Sequence, residues 1–253
     1  MKITFLGTGT SQGVPVIGCN CPVCASLDYR DKRLRTSIHI EIDQRSFVID
    51  TGPDFRQQML RERINRLDAV IFTHSHKDHT AGLDDVRAFN YLQNMDMPVY
   101  GTKDVLDHLK VEFYYAFEQF KYPGIPQIKL HEIHHDPFTI QDITFTPLPV
   151  WHMKLPVLGF RVGDFSYITD ANFIPEETLE RIQGTKVLVL NALQKEKHPS
   201  HFNLEEALIM ARKINADKTY FTHASHKLGL HKEIERELTN SIALAYDGLT
   251  ITL

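Results

Sequence analysis

Ala69-Val70-Ile71-Phe72-Thr73-His74-Ser75-His76-Lys77-Asp78-His79 decides how the rest of this chain is read. An apolar run of strand character ends in four metal-ligand side chains, and the small Thr80-Ala81-Gly82 follows. In an extended segment residues two apart point the same way, so His74 and His76 can grip one ion, while a turn at Lys77 re-aims Asp78 and His79 at a second. The spacing itself suggests two metals. Histidines and aspartates are ordinary in solvated loops, but three imidazoles and a carboxylate this close make a metal cradle the better reading.

Two ions need more than four ligands, and three further candidates stand where apolar strands end. His152 follows the run Thr146 to Trp151, Asp170 ends Phe165 to Thr169, and His223 ends Thr219 to Thr222. Any one of them could be a turn residue or a cap; their joint appearance is harder to dismiss. A second constellation is Gly18-Cys19-Asn20-Cys21-Pro22-Val23-Cys24, which holds all the cysteines of the chain. They sit too close together to staple distant parts of a fold, and three soft thiolates on one loop expect zinc. A tetrahedral structural zinc needs a fourth ligand from elsewhere, and His226, three residues past His223, is the candidate.

At 253 residues and 42% hydrophobic content the chain can bury a substantial core. Short β-rich runs alternate with helical stretches, with no repeat or low-complexity linker between them, so one domain over residues 1–253 is expected. Strands are expected at Lys2 to Leu6, Thr36 to Asp43, Ser46 to Asp50, Ala69 to Phe72, Pro98 to Tyr100, Phe138 to Pro147, Gly159 to Val162, Phe165 to Thr169, Val187 to Leu190, Thr219 to Thr222 and Leu249 to Thr252. Helices are expected at Thr80 to Gln93, Thr102 to Gln119, Pro175 to Ile182, Asn203 to Ile214 and Lys232 to Thr239, with Asn203 and Glu206 spaced as a capping box. Closely spaced early strands and later strands alternating with helices suggest two mixed sheets with helices outside.

Lys+Arg 28 against Asp+Glu 32 gives a net charge of -4, without the basic field that drives nucleic-acid binding, so a large RNA substrate is not favoured. No stretch is apolar enough to span a bilayer, and the opening MKITFLGTGTSQG is too short in apolar residues for a signal-peptide core. The expectation is a soluble, cytoplasmic protein without a membrane partner.

The order of these motifs, Asp50, then His74-x-His76-x-Asp78-His79, then His152, Asp170 and His223, resembles the metallo-β-lactamase superfamily over nearly the whole chain. The resemblance implies an α/β fold, the αββα four-layer sandwich, with Asp50 supporting the metal loop rather than ligating. It implies that His74, His76 and His152 hold one divalent ion, zinc or manganese, that Asp78, His79 and His223 hold a second, and that Asp170 bridges them. A first shell of nitrogen and oxygen without cysteine looks like the phosphodiesterase branch. Leu6-Gly7-Thr8-Gly9-Thr10-Ser11-Gln12-Gly13-Val14-Pro15 before the cysteines, with Thr222-His223-Ala224-Ser225-His226 near the end, resembles the PhnP-type phosphodiesterases, which carry a structural zinc beside the dinuclear site.

The implied activity is hydrolysis of a small, cyclic phosphodiester by metal-bound hydroxide. Asp78 and His201 are the residues on which turnover is expected to depend, because His201, just before a helix, occupies the position of the proton donor in that branch. His131, His134, His135, His198 and His231 lack such a context and are expected mostly at the surface. Two rivals remain. The transfer-RNA 3′-processing endonucleases share the metal motifs, but the glycine-rich basic arm they carry has no counterpart between His79 and His152. The pyrroloquinoline quinone biosynthesis protein PqqB resembles the cysteine segment and represents a carrier role without turnover. The sequence leaves room for a homodimer, and the aromatic-rich stretches Asn90 to Pro98 and Tyr114 to Gln127 are candidate pocket loops.

Overall fold

The computed structural model describes residues 1–118 and 123–253. The first six strands are β1 (Lys2–Gly7), β2 (Ser37–Ile42), β3 (Arg45–Ile49), β4 (Ala69–Ile71), β5 (Met97–Gly101) and β6 (Ile128–Glu132). Seven more follow: β7 (Phe138–Ile140), β8 (Ile143–His152), β9 (Leu155–Val162), β10 (Phe165–Tyr167), β11 (Val187–Asn191), β12 (Lys218–Thr222) and β13 (Ile242–Leu244); β14 (Thr250–Thr252) is last. They form two seven-stranded sheets, ordered β14-β1-β2-β3-β4-β5-β6 and β13-β12-β11-β10-β9-β8-β7. Both are mixed: β1, β2 and β3 are antiparallel and β3 to β6 parallel, while β7 to β10 are antiparallel and β10 to β13 parallel. Parallel neighbours require crossovers, and those crossovers carry most of the helices.

The chain divides into two compact units, one of residues 1–7, 35–134 and 248–253, the other of 8–34 and 135–247. The helices are α1 (Pro22–Ala25), α2 (Phe55–Glu62), α3 (Lys77–Thr80), α4 (Arg87–Gln93), α5 (Lys103–Glu112), α6 (Tyr114–Phe117), α7 (Glu176–Ile182), α8 (Leu204–Ile214) and α9 (His231–Glu237). In the first unit, Phe55 and Met59 of α2, Phe89 of α4 and Leu106 and Leu109 of α5 share one apolar core with Val48, Val70 and Val99 of the sheet. In the second, Leu179 and Ile182 of α7, Ala207 and Ala211 of α8 and Ile234 of α9 do so with Leu148, Val150, Leu188, Leu190 and Phe221. Each fully buried large side chain contributes about 1.5–3 kcal/mol. Helix α8 starts on the expected capping box: Asn203 Oδ1 accepts from Glu206 N at 2.9 Å, and Glu206 Oε2 accepts from Asn203 N at 3.1 Å.

Several elements differ from expectation for local reasons. The helix expected over Thr80 to Gln93 is broken into α3, a 3-10 turn at Leu83–Val86 and α4, because Gly82 packs against the Gly52 carbonyl. The helix expected from Thr102 stops at Glu112, where Phe113 leaves helical geometry, and its expected end at Gln119 lies outside the described residues. Phe138 to Pro147 is a hairpin turning at Gln141, which has φ +55°, and its second strand runs on to His152. Helix α2 and strands β6 and β13 were not anticipated; polar residues dominate α2, so its apolar periodicity is faint.

Candidate metal centre

In the first unit the motif runs from the end of β4 into the short α3, His74 preceding the helix, His76 being the extended residue that starts it, and Asp78 and His79 lying within it. Asp50, just past β3 and fully buried, holds this segment. Its Oδ1 accepts from Thr73 N at 2.9 Å, its Oδ2 from Thr73 Oγ1 at 2.8 Å, and His79 Nδ1 donates to Oδ2 at 2.7 Å. Because the single Thr73 hydroxyl proton goes to Asp50, Thr73 Oγ1 accepts from His74 Nδ1 at 2.9 Å. Both buried histidines therefore carry hydrogen on Nδ1 and present Nε2, the arrangement that partners beyond the ligands impose on metal-binding imidazoles. The ring centroids of His74 lie 4.6 Å from His76 and 4.2 Å from His79, and Asp78 Oδ2 is 3.4 Å from His79 Nε2. Burial pushes the Asp50 carboxyl up, and the His79 and Thr73 bonds oppose it.

Two glycines make this packing possible. A Cβ on Gly52 would lie 2.2 Å from the Asp78 carbonyl oxygen, and one on Gly82 would lie 2.1 Å from that of Gly52. Thr51 N donates to His79 O, and Gly82 N to Thr51 O, so the Asp50-Thr51-Gly52 turn and α3 are laced by backbone bonds.

In the second unit three strand ends converge. His152 closes β8 and donates from Nδ1 to Ser200 O at 2.7 Å, again presenting Nε2. Asp170 follows β10 and His223 follows β12; both are buried, and Asp170 Oδ1 lies 3.1 Å from His223 Nε2 and 3.1 Å from His201 Nε2. His201 stacks on His223 at 4.9 Å and meets His152 edge-on at 4.5 Å. His152, Asp170 and His201 offer atoms close enough to hold one ion. Burial pushes His201 down to about 4, with the Asp170 hydrogen bond opposing. Asp50, Asp170 and His223 all have left-handed backbone, with φ of +66°, +57° and +57°. Such conformations cost of order 1–3 kcal/mol each and gather at functional sites.

The cysteine loop of the same unit meets His226. Its Nδ1 lies 3.3, 3.4 and 3.5 Å from Sγ of Cys19, Cys21 and Cys24. A tetrahedral zinc with Zn–S of about 2.3 Å and Zn–N of about 2.0 Å spaces nitrogen from sulfur by about 3.5 Å and sulfur from sulfur by about 3.8 Å, so three thiolates and one imidazole fit that ion. Cys24 N donates to Cys21 Sγ at 3.4 Å, and this bond leads in pulling the Cys21 thiol down to about 6; burial pushes Cys24 up to about 11.

Of the five histidines expected mostly at the surface, His231 is buried and His198 is half-buried. His231 is buried against the Arg33 guanidinium, with Nδ1 3.2 Å from Nη2, and burial pushes it down to about 4. His198 adjoins Ser200 and His201, a contact with no sequence signal because a lone histidine three residues away has no period to betray it. The stretches named as pocket loops line a cavity of about 340 Å³ with Asn90, Tyr91, Asn94, Pro123, Ile125 and Gln127 among its walls, none of them a candidate ligand; residues 119–122 lie outside the described residues. No described helix is long and apolar enough to cross a membrane.

Residues 45–224 match the family model described as the Beta-lactamase superfamily domain. The chain belongs to that superfamily. Within it the chain is a PhnP-type protein, similar to a crystal structure described as a new diphosphatase from the PhnP family, with a TM-score of 0.93 and 41% identity over 99% of this chain and 96% of that one. Its two mixed sheets with flanking helices have the αββα fold that the motif order implied, a fold shared with Zn(2+)-bound PqqB from Methylobacterium extorquens at TM-score 0.78 and 19% identity, covering 100% of each chain. A curated relative from Porphyromonas gingivalis, named Octanoyltransferase, is 40% identical over 252 residues, 98% of this chain and 51% of its own length. The chain thus spans about half the length of the curated relatives it matches. Among its relatives the diphosphatase and ribonuclease Z are hydrolases, the fold implies divalent metal use, and the donor sets above fit such ions.

Proposed function

We propose that this chain is a two-metal phosphodiesterase that hydrolyses a small, cyclic phosphodiester. The observation that carries the reading is the matched preparation of His74, His79 and His152: each has Nδ1 tied to a specific acceptor, which leaves Nε2 as the nitrogen for a metal. In the family's ligand order His74, His76 and His152 would hold one zinc or manganese ion and Asp78, His79 and His223 the other, with Asp170 available to both. Such a pair lowers the pKa of bound water and neutralises charge on a phosphoryl group.

The chain's own residues supply the rest. Asp50 and Thr73 orient two imidazoles, the Ser200 carbonyl orients a third, and His201 delivers a proton from Nε2 to the departing oxygen. The Asp170 carboxylate 3.1 Å from that nitrogen favours the protonated ring against the burial that depresses it. Cys19, Cys21, Cys24 and His226 hold a structural zinc. The net charge of -4 supports a small substrate over transfer RNA.

The name of the Porphyromonas relative raises acyl transfer as a second reading, although as many of that protein's residues lie outside the match as within it. The deciding experiment assays bis-para-nitrophenyl phosphate, 2′,3′-cyclic nucleotides, cyclic ribose phosphates, a dinucleoside diphosphate, a tRNA precursor and octanoyl transfer side by side. Phosphodiester hydrolysis abolished in Asp78→Ala supports the proposal; a metal-loaded protein inert to every phosphate ester and anhydride sinks it. His201→Ala should retain both metals and lose about 10²-fold on poor leaving groups while sparing aryl esters.

A further inference from the structure

His223 leaves β12 with left-handed backbone, φ +57°, a strained conformation that lasts only where the surrounding structure over-determines it. The residues on either side of it are gripped by their main chains. Thr222 O accepts from Ala192 N at 2.9 Å. Ala224 donates from N to Thr8 O at 2.9 Å and accepts at O from Thr10 N at 3.2 Å, so both of its backbone groups are spent on the segment Thr8-Gly9-Thr10. That segment lies outside the named strands and needs an anchor of its own. The anchor is Asp247, whose Oδ1 accepts from Thr8 N at 2.9 Å and from Thr8 Oγ1 at 2.8 Å. Its Oδ2 accepts from Leu34 N at 2.8 Å, while Gly9 N donates to Leu34 O at 2.8 Å. Chemistry fixes these directions. Two of the donors are main-chain N–H groups, and Arg33 Nη1, which only donates, meets Thr8 Oγ1 at 2.8 Å, so the hydroxyl proton goes to the carboxylate. Arg33 is buried, and Asp247 leads the charges that oppose the effect of that burial on its guanidinium.

We propose that Asp247 is the positioning residue for His223: through Thr8 it fixes the segment that grips Ala224, and so holds the strained His223 backbone where its Nε2 lies 3.1 Å from Asp170 Oδ1. Every residue of this clamp belongs to the second unit. The inference rests on the ligand role given to His223 above. The clamp ends at Ala224, because Ser225 N donates to Leu193 O at 2.8 Å and gives the stretch leading to His226 a separate anchor. A carboxylate suits the task and an amide does not. Asparagine has a single oxygen, which serves Thr8 or Leu34 but not both, and its NH2 group would face a donor.

The experiment compares zinc-loaded wild type with Thr8→Ser, which keeps the hydroxyl, Thr8→Val, which replaces it with a methyl, Asp247→Asn and His223→Ala. Hydrogen–deuterium exchange resolved at single amides reads the Ala224 N–H, with Val189 N–H in β11 as the reference, and chelator competition with elemental analysis reads the zinc held by each chain. Thr8→Ser should match wild type in both. In Thr8→Val and Asp247→Asn, exchange at Ala224 should rise about tenfold with Val189 unchanged. One zinc ion per chain should be held about tenfold more weakly in these two variants, the same ion that His223→Ala loses, while the others are held as in wild type. Unchanged protection of Ala224 overturns the proposal, as does faster exchange at Ala224 with every ion held as in wild type. Weakening of all the ions alike, with Val189 exchanging faster too, also overturns it, since a merely structural loss would do that. So does Thr8→Ser behaving like Thr8→Val. If His223→Ala itself releases no zinc while the exchange comes out as expected and serine rescues it, the ligand role of His223 falls and the clamp on its backbone stands.

Discussion

His79 Nδ1 donates to Asp50 Oδ2 across 2.7 Å, between two side chains with no exposure to solvent and 29 positions apart in sequence. The bond chooses which nitrogen His79 offers to a metal. Replacing Asp50 with alanine frees the ring and strands Thr73 N without its acceptor. Metal affinity should fall about 10–100-fold while the ligands themselves remain, as read by zinc competition with a chelator. Unchanged affinity would mean that the ring is held by other means.

Removal of one thiolate tests the cysteine site apart from activity. Cys24→Ala should release one zinc per chain, counted by elemental analysis, with the remaining metal content intact. A loss of about 3 kcal/mol from such a site is roughly 6–12 °C in Tm for a chain of this size. A variant that keeps its full zinc complement would refute the assignment.

His39 contributes to the pH dependence of stability from a place remote from the candidate ligands. Burial, with Lys2 adding to it, pushes His39 down to about 4 in the folded chain, while unfolded histidine titrates near 6.5. The unfolded state therefore binds more protons between these values, and stability falls as pH drops from about 6.5 to about 4, by at most about 3 kcal/mol, then levels off. His39 Nε2 donates to Ser46 Oγ, whose own proton goes to Arg66 O, so His39→Gln keeps a donor without the titration. Urea unfolding of both proteins from pH 4 to 7 should show a shallower slope in the variant; identical slopes would exclude His39 as the source.

Gly52→Ala should be costly out of proportion to its size. The added methyl would press on the Asp78 carbonyl at 2.2 Å, against backbone that cannot swing aside. A destabilisation above about 2 kcal/mol, together with weakened metal binding, is expected in denaturant titrations and metal analysis. Gly163→Ala, in an open turn with nothing within 4 Å of the added atom, is the contrast: its φ of +55° brings left-handed strain without a clash, whereas Gly52 brings the clash without that strain.

Much of the candidate site was legible because it is local. The pattern His-x-His-x-Asp-His and the pattern Cys-x-Cys-x-x-Cys place donors by chain geometry over a few residues, and α8 announced itself through Asn203 and Glu206. Apolar strand ends at His152, Asp170 and His223 were visible for the same reason. The hairpin at Gln141 was not, because a glutamine stands at the left-handed position that Gly or Asn would have announced, leaving Asp142 as a lone turn signal. Nor was the burial of His231, which depends on Arg33, 198 positions away in sequence.

By itself, then, the sequence determined which atoms could bind metal and the order in which they occur, since ligand type and short-range spacing are properties of the chain. Tertiary structure decided which nitrogen His79 and His152 present. Asp50 settles this for His79 from 29 positions away and the Ser200 carbonyl for His152 from 48. A tautomer is chosen by the partner at the other edge of the ring, and only folding brings that partner within hydrogen-bond distance.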